Sequence, residues 1–260
     1  MIQDTRAGQT LALAGEMADT ARGIALDYFR TTLPYESKQD GSPVTLADKT
    51  IEARLRALIE GTFPEDGIVG EEQDSVRIDS PRLWIVDPID GTKSFMTGMP
   101  TFGCLIATYE DGAPDLGVIE LPALNERFVG KTGRATEFNG TPCHTRACTR
   151  LAEAIVYATS PDIFTEAELA AFDRVSKQAA IRRFGGDCYA YALLASGHVD
   201  LVIESELKPF DYLALVPVVQ GAGGVITDWT GQPLTLESDG RVIAAATPEL
   251  HAEALAALAL

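Results

Sequence analysis

Apolar residues near the start of the chain recur at the spacing of amphipathic helices. The first such segment runs from Leu11 to Arg30. In the second, apolar residues recur at i, i+4, i+7 and i+8, at positions Ile51, Leu55, Leu58 and Ile59. This period places them on one helix face, which we expect to face the core. Between the two helices, Glu36 to Pro43 is polar and contains Gly and Pro, which predicts a mobile loop.

Farther along the chain, short apolar runs bounded by turn residues predict β-strands. In the middle of the chain they are Leu83–Val86, Phe102–Tyr109 and Leu116–Ile119, with Glu110–Pro114 as a hairpin connection. After about residue 140 the predicted strands are Ile155–Ala158, Ile181–Phe184, Val199–Ile203, Val225–Thr227 and Val242–Ala245. Helices are predicted at 165–178, 187–196, 211–222 and 248–260. Pro217 should bend the third of these, because proline removes a backbone donor.

Strands that alternate with helices predict a layered α/β fold. We divide the chain into an N-terminal half, 1–140, and a C-terminal half, 141–260. No repeat or long linker separates the halves, so we expect one compact unit with two subdomains. A chain of 260 residues with 46% hydrophobic content can bury a sizeable core.

Charge and hydropathy restrict the partners that we expect. The net charge is −17, which repels nucleic acid and anionic membrane surfaces. No apolar stretch reaches the roughly 18 to 20 residues that cross a bilayer. The first ten residues, MIQDTRAGQT, lack the pattern of a secretion signal. We therefore expect a cytoplasmic protein that binds neither nucleic acid nor membrane.

The four cysteines do not form CxxC pairs, so we expect reduced and mostly buried thiols. Cys143, His144 and Cys148 leave open a zinc site as an alternative. A closed zinc site needs four well-placed nitrogen or sulfur ligands, which makes this alternative the weaker one.

The most informative segment is Trp84–Thr92, WIVDPIDGT. An apolar strand leads into a proline, then into a glycine that lets the backbone approach a ligand closely. The end of such a strand can direct Asp87, Asp90 and the Ile89 carbonyl at one point. Oxygen ligands of this kind suit magnesium, whose remaining positions are filled by water and substrate phosphate.

Three more acidic positions could contribute to the same site, namely Glu71 in Gly70-Glu71-Glu72, Asp211 and Asp48. Each also has a purely structural interpretation. Glu71 could be a solvated surface charge, and Asp211 could cap the helix that it begins. Asp48 stands three residues after Thr45, a spacing that fits a variant of the capping box. Likewise, Asp90 before Gly91 could be an ordinary turn residue.

Taken together, three motifs resemble the signature of the inositol monophosphatase superfamily, in the same order and at similar spacing. They are Gly70-Glu71-Glu72, Asp87–Thr92, and Phe210-Asp211 followed by Gly221–Gly224. Where the family has tryptophan before the last aspartate, this chain has Phe210. The resemblance extends from about residue 10 to 250. It implies an αβαβα sandwich, a homodimer and a magnesium-dependent phosphomonoesterase that forms no phosphoenzyme.

The resemblance also assigns roles to individual residues. One magnesium would be held by Glu71, Asp87 and the Ile89 carbonyl, a second by Asp87, Asp90 and Asp211, and Glu71 would contribute to a weaker third site. Thr92 and Asp48 would orient the attacking water and help to deprotonate it. If Gly91 and Thr92 begin a helix, their N–H groups would bind the phosphate.

Four segments look like the histidinol-phosphatase branch of this superfamily, which acts in histidine biosynthesis. They are the loop that contains Lys38 to Asp48, Asp90–Phe95, Phe184–Tyr191 and Leu207–Tyr212. Histidinol phosphate carries an ammonium and an imidazole, so its pocket should present carboxylates. The resemblance implies that Glu204 contacts the organic part of the substrate and that Asp187 lies near the same pocket, and Asp211 is expected to bind substrate as well. Asp187 could instead be only a helix N-cap, and Glu204 could be a surface charge.

Four alternative functions stay open. The same site would suit an inositol monophosphatase of broad specificity, a sugar phosphatase or a nucleotide phosphatase. A non-catalytic metal- or phosphate-binding homologue is a fourth, although no catalytic position is missing. With only three scattered histidines and no GxxxxGK[ST] phosphate loop, other phosphatase mechanisms fit less well.

Overall fold

Helices and strands alternate along the computed structural model, which describes residues 5–32, 35–37 and 43–259. The helices of these residues are α1 (Arg6–Tyr28), α2 (Leu46–Thr62), α3 (Thr92–Thr97), α4 (Glu166–Ser176), α5 (Tyr189–Ala195), α6 (Pro209–Tyr212), α7 (Leu215–Gly221) and α8 (Pro248–Leu258). The first strands are β1 (Tyr35–Ser37) and β2 (Pro43–Thr45), which pair antiparallel. The predicted loop Glu36–Pro43 is therefore wrong at its two ends. Its middle, 38–42, lies outside the described residues.

The first large sheet contains seven strands, β3 to β9, in chain order. They are β3 (Gly67–Gly70), β4 (Arg82–Asp90), β5 (Gly103–Glu110), β6 (Ala113–Leu121), β7 (Glu126–Lys131), β8 (Glu137–Phe138) and β9 (Thr141–Pro142). β3 pairs parallel with β4, and every later neighbour is antiparallel. The sequence analysis missed β7, β8 and β9, because these strands are short or polar and lack the apolar run that marks a buried strand.

The second sheet has five strands in the order β11-β10-β12-β14-β13. They are β10 (Ile155–Ala158), β11 (Ile181–Phe184), β12 (Leu201–Glu204), β13 (Val225–Asp228) and β14 (Val242–Ala245). β10 is parallel to both of its neighbours, whereas β14 is antiparallel to both of its own. All five strands confirm the prediction to within two residues.

The elements stack in five layers, helix, sheet, helix, sheet and helix, which confirms the αβαβα fold. α1 and α2 cover one face of the first sheet, α5 and α7 lie between the sheets, and α4 and α8 cover the second sheet. Neighbouring side chains of one strand belong to two different hydrophobic cores, one on each face of the sheet. In β4, Ile85 belongs to the central core and Trp84 to the core under α1 and α2, because successive side chains point to opposite faces.

The predicted helix 211–222 is two helices, α6 and α7, and Pro217 lies within the second rather than at the break. Pro217 is the third residue of α7, and the first-turn N–H groups of a helix have no partner within it. The proline therefore causes no bend. α7 packs very closely on the first sheet, since a Cβ on Gly130 would lie 2.4 Å from the Pro217 carbonyl carbon.

The division into halves 1–140 and 141–260 stays a prediction. The first sheet extends to Pro142, and the second begins at Ile155. Among the described residues, no helix is both long and apolar enough to span a bilayer.

Candidate active site

β4 contains an irregularity at the residues predicted to bind metal. Asp87 pairs with Leu105, and Asp90 pairs with Gly103, so three steps along β4 correspond to two steps along β5. In a regular strand, residues three apart point to opposite faces. The extra residue reverses that alternation, as β-bulges near functional sites commonly do. It thereby allows both aspartates to serve one site.

Three carboxylates converge where β4 ends. Asp87, Asp90 and Asp211 each offer a carboxylate oxygen within 4.8 Å of the others. Asp87 is 1% exposed, and it is fixed by the Ile89 N–H, which donates to its Oδ1 over 3.0 Å. The Cys188 N–H donates to Asp90 Oδ2 over 2.6 Å. A cluster of carboxylate oxygens is the donor set that a hard divalent cation requires.

The pKa values of these carboxyl groups indicate that the cluster favours a positive ion. Burial raises the pKa of Asp87 and of Asp90 well above the usual range, and neighbouring carboxylates raise both pKa values further. Burial also raises the pKa of Asp211 to about 7, although the Lys208 N–H donates to this carboxylate over 2.6 Å. Because the crowded negative charges repel each other, a bound cation would relieve an unfavourable arrangement.

Glu71 lies close enough to two of the three aspartates, Asp87 and Asp211, to affect their pKa values. It directly follows β3, whose last residue, Gly70, pairs with Val86 on β4. Parallel pairing therefore places Glu71 next to Asp87. The negative charge of Glu71 raises the pKa of both Asp87 and Asp211. The structure thus brings together the carboxylates that the sequence suggested as metal ligands.

Asp48 is the third residue of α2 and completes the predicted capping box with the N-cap residue Thr45. Its Oδ2 accepts hydrogen bonds from the Thr45 N–H over 2.8 Å and from the Thr45 hydroxyl over 2.5 Å. Asp48 is fully buried, and its other oxygen, Oδ1, has no hydrogen-bond partner among the described residues. Burial raises the pKa of Asp48, and the charge of Glu71 adds to the effect. Oδ2 of Asp48 therefore caps the helix, and Oδ1 has no hydrogen-bond partner among the described residues, in a side chain close to Glu71.

Gly91 and Thr92 do begin a helix, α3, with Gly91 as its N-cap in the left-handed region at φ 79°. The Thr92 hydroxyl donates to the Ile89 carbonyl over 3.1 Å. Thr92 is thus tied to the carbonyl that was predicted as a metal ligand. A side chain at Gly91 would also collide with Asp187, because a Cβ there would lie 2.7 Å from Asp187 Cγ.

Asp187 lies over the start of α3, and its side chain does not cap α5. The N-cap of α5 is Cys188, without a side-chain hydrogen bond, so the capping alternative for Asp187 is wrong. Asp187 Oδ2 instead accepts from the Ser94 hydroxyl over 2.6 Å and from the Thr101 hydroxyl over 3.3 Å. Burial raises the pKa of Asp187, and these two hydrogen bonds lower it.

Glu204 is 2% exposed, so the surface-charge alternative for this residue is also wrong. Its Oε1 accepts from the Thr159 N–H, and its Oε2 accepts from the Tyr191 hydroxyl, each over 2.9 Å. Burial raises the pKa of Glu204, and both hydrogen bonds lower it. Since a carboxylate oxygen accepts about two hydrogen bonds, each oxygen keeps capacity for a ligand.

A pocket of about 140 Å³ joins these groups. Its lining residues include five with polar side chains that bear on function, Asp90, Asp187, Tyr191, Glu204 and Asp211. Two candidate metal-binding carboxylates, Asp90 and Asp211, therefore share one small cavity with the two candidate substrate-binding carboxylates.

The zinc alternative gains no support. Among residues 5–32, 35–37 and 43–259, the group of His, Cys, Asp or Glu side chains placed to hold a metal is the aspartate trio. Cys143 is half-buried and Cys148 buried, and both are free thiols. The Cys148 thiol donates to the Arg150 carbonyl over 3.5 Å.

Sequence reasoning missed several residues that shape the site. Tyr191 and Ser94 were not singled out as site residues, and the Cys188 N–H carries no signal in the sequence. The hydroxyl-rich segment around Ser94 and Thr101 was the one available hint for the contacts of Asp187.

The layered fold and the carboxylate cluster define a class of α/β proteins with a buried acidic cation site beside a small polar pocket. The chain belongs to the inositol monophosphatase family, whose sequence model matches residues 7–259. The family and the relatives below indicate a phosphatase.

The bifunctional phosphatase IMPL2, chloroplastic, of Arabidopsis thaliana is 44% identical, with 99% of this chain and 77% of that relative covered. A histidinol-phosphatase of Chlorobaculum parvum is 37% identical over 90% of this chain and 91% of its own. A solved structure of an inositol monophosphatase from Zymomonas mobilis is 44% identical, with a TM-score of 0.90 and with 98% and 100% of the two chains covered.

Proposed function

We propose that the protein is a magnesium-dependent phosphomonoesterase that hydrolyses L-histidinol phosphate to L-histidinol and phosphate, a reaction of histidine biosynthesis. One observation supports the choice of L-histidinol phosphate as the substrate. Beside the aspartate trio, the pocket presents two further buried or half-buried carboxylates, Asp187 and Glu204. The cationic groups of histidinol would pair with such carboxylates, whereas the neutral hydroxyls of inositol do not require them.

Magnesium would be held by oxygen atoms of Glu71, Asp87, Asp90 and Asp211 and by the Ile89 carbonyl, as two or three ions. The carboxylate oxygens within 4.8 Å of one another fit this group. When bound, magnesium supplies positive charge for the phosphoryl oxygens and makes a nearby water more acidic. It also reverses the local field of a chain whose net charge is −17.

The residues of the chain bind and orient the reactants. N–H groups of Gly91 and Thr92 would bind the phosphate, and Asp48 with Thr92 would orient the attacking water. Asp48 would take the proton of that water on its orphaned Oδ1. The water oxygen would form a bond to phosphorus while the ester P–O bond breaks. The leaving alkoxide would take a proton from solvent to become L-histidinol, and Asp48 would release its proton to solvent.

Hydrolysis of inositol 1-phosphate is the second candidate, favoured by the likeness to the Zymomonas mobilis structure. Activity on more than one ester is a further candidate, since the Arabidopsis relative is named a bifunctional phosphatase. Broad sugar or nucleotide phosphatase activity and a non-catalytic role are further alternatives. We also propose, from charge and family resemblance, a cytoplasmic homodimer that binds neither nucleic acid nor membrane.

Phosphate release with magnesium tests the substrate, through kcat/KM for L-histidinol phosphate, inositol 1-phosphate and an aryl phosphate. We expect a preference for L-histidinol phosphate of at least about tenfold. Equal values, or a preference for inositol 1-phosphate, would support the phosphatase activity but contradict the assignment of L-histidinol phosphate as the substrate. No release of phosphate from any ester would remove the catalytic function itself.

A double variant tests the carboxylates. Glu204→Gln with Asp187→Asn should lower kcat/KM for L-histidinol phosphate about 100-fold, since a lost charged hydrogen bond costs about 1.5–3 kcal/mol. The aryl phosphate should lose much less. Glu206→Gln is the matched control, because Glu206 is exposed and lies two residues after Glu204. An equal loss on both esters would exclude Asp187 and Glu204 from substrate binding.

A further inference from the structure

Glu52 is a buried carboxylate on α2 that the proposed mechanism does not use. It lies one helical turn after Asp48, so the two side chains share a helix face. Glu52 is fully buried, and a buried charge is stable only when it is paired and hydrogen-bonded. Its partners therefore indicate why the position is acidic.

Those partners lie in the turn that contains Glu71. The Glu72 N–H donates to Glu52 Oε2 over 2.7 Å, and the Gln73 N–H donates to Glu52 Oε1 over 3.1 Å. Arg56, one turn farther along α2, donates from Nε to Glu52 Oε1 over 2.8 Å. Its Nη2 donates to the Gln73 carbonyl over 2.9 Å. Glu52 and Arg56 together bind three backbone groups directly after Glu71.

Gly70 faces Glu52 and Arg56 so closely that no side chain would fit at this position. A Cβ on Gly70 would lie 2.3 Å from Glu52 Oε1 and 2.9 Å from Arg56 Nη2. On its other side, Gly70 pairs with Val86, the residue before Asp87. The backbone that precedes Glu71 is thus held between β4 and the side chains of α2.

We propose that Glu52 is a positioning residue for the candidate metal site. With Arg56, it holds the turn 71–73 so that Glu71 stays beside Asp87. This inference rests on the proposed magnesium site. The negative charge of Glu71 repels those of Asp87 and Asp211 when no cation is bound. Without this support the turn would move away, and metal binding would have to restore its position. Groups that orient metal ligands typically contribute about 10- to 100-fold in metal affinity.

Calorimetric titration of the full chain with Mg²⁺, without substrate, tests the proposal. Glu52→Gln should raise the Kd for Mg²⁺ about 10- to 100-fold, because an amide replaces one acceptor by a donor. The magnesium concentration for half-maximal activity should rise in parallel, whereas kcat at saturating magnesium should change little. Glu60→Gln is the matched control, on the same helix with an exposed side chain, and should bind Mg²⁺ as the unchanged protein does.

Arg56→Lys is a milder second variant that keeps the positive charge beside Glu52. It loses the hydrogen bond to the Gln73 carbonyl, and the Kd should rise a few-fold. Hydrogen exchange in the metal-free protein should become faster for the Glu72 and Gln73 amides in Glu52→Gln. An unchanged Kd in both variants would overturn the positioning role and leave the magnesium site intact. If the unchanged protein binds no Mg²⁺, the proposed metal site and this inference both fail.

Discussion

The phenolic hydroxyl of Tyr191 donates a hydrogen bond to Glu204 Oε2 over 2.9 Å. Tyr191 is 1% exposed and belongs to the central core, so its ring packs as an apolar residue while its hydroxyl borders the pocket. Burial and the charge of Glu204 raise the pKa of Tyr191 well above its usual value. The hydroxyl therefore stays protonated and acts as a donor that fixes the orientation of the carboxylate.

Tyr191→Phe should lower kcat/KM for L-histidinol phosphate about tenfold. The substitution removes a hydrogen bond to a carboxylate, and such a bond contributes about 1.5–3 kcal/mol. Steady-state phosphate release measures the change, with an aryl phosphate expected to be affected little. Tyr189→Phe is the control, since the Tyr189 hydroxyl interacts with Glu126 instead. A loss of the same size on the aryl phosphate would indicate general damage to the site.

Asp87→Asn should lower magnesium-dependent turnover by more than about 100-fold and leave the fold intact. In the metal-free protein, the variant should be at least as stable as the unchanged chain, because it removes one of three crowded charges. Thermal unfolding with EDTA and with magnesium measures both effects. The unchanged protein should gain stability from magnesium, and the variant should gain less.

Asp79→Asn serves as the control for this experiment, since Asp79 is exposed. It should keep both activity and the stabilisation by magnesium. Full activity of Asp87→Asn would contradict the assignment of Asp87 as a metal ligand.

His251 should make stability depend on pH. Burial lowers its pKa below the usual value of about 6.5, and its Nε2 lies 2.8 Å from Thr227 Oγ1. As pH falls through the unfolded-state pKa, the unfolded chain takes up a proton before the folded one does. The contribution of His251 is therefore fully present above about pH 6.5 and is lost below it.

Urea unfolding at about pH 7.5 and about pH 5.5 measures this contribution. The buried carboxylates titrate as well, so the informative quantity is the difference between the unchanged protein and His251→Gln. That difference should become smaller at the lower pH. A difference independent of pH would show that His251 contributes only through packing.

Gly130→Ala should destabilise the protein by about 2 kcal/mol or more, because overpacking against rigid structure is costly. The added Cβ would lie 2.4 Å from backbone atoms of Pro217, and these atoms cannot move without shifting α7. Gly15→Ala is the contrasting change on α1, where nothing lies within 4 Å of the new Cβ. It should stabilise the protein by about 0.5–1 kcal/mol. Urea unfolding measures both, and effects of the same sign would contradict the packing argument.

The amino-acid sequence by itself determined the class of fold and the placement of Asp87 and Asp90 at the end of one strand. Apolar periodicity is a local property, so it located α1, α2 and all five strands of the second sheet. The motif around Asp87 is equally local, since a buried strand that ends in Asp-Pro-Ile-Asp-Gly-Thr has few other uses. Short or polar elements such as β8 escaped detection, because their stability comes from the neighbouring strand rather than from their own residues.

Only the tertiary structure decided which groups meet across the chain. Asp187 meets Ser94, Glu204 meets Tyr191, and Glu52 holds the turn after Glu71 through two backbone N–H groups. Backbone donors are identical in every residue, and burial depends on how distant segments pack. Neither property is visible in a linear pattern. The sequence therefore left open a surface position for Glu204, and only the structure shows that this residue is buried.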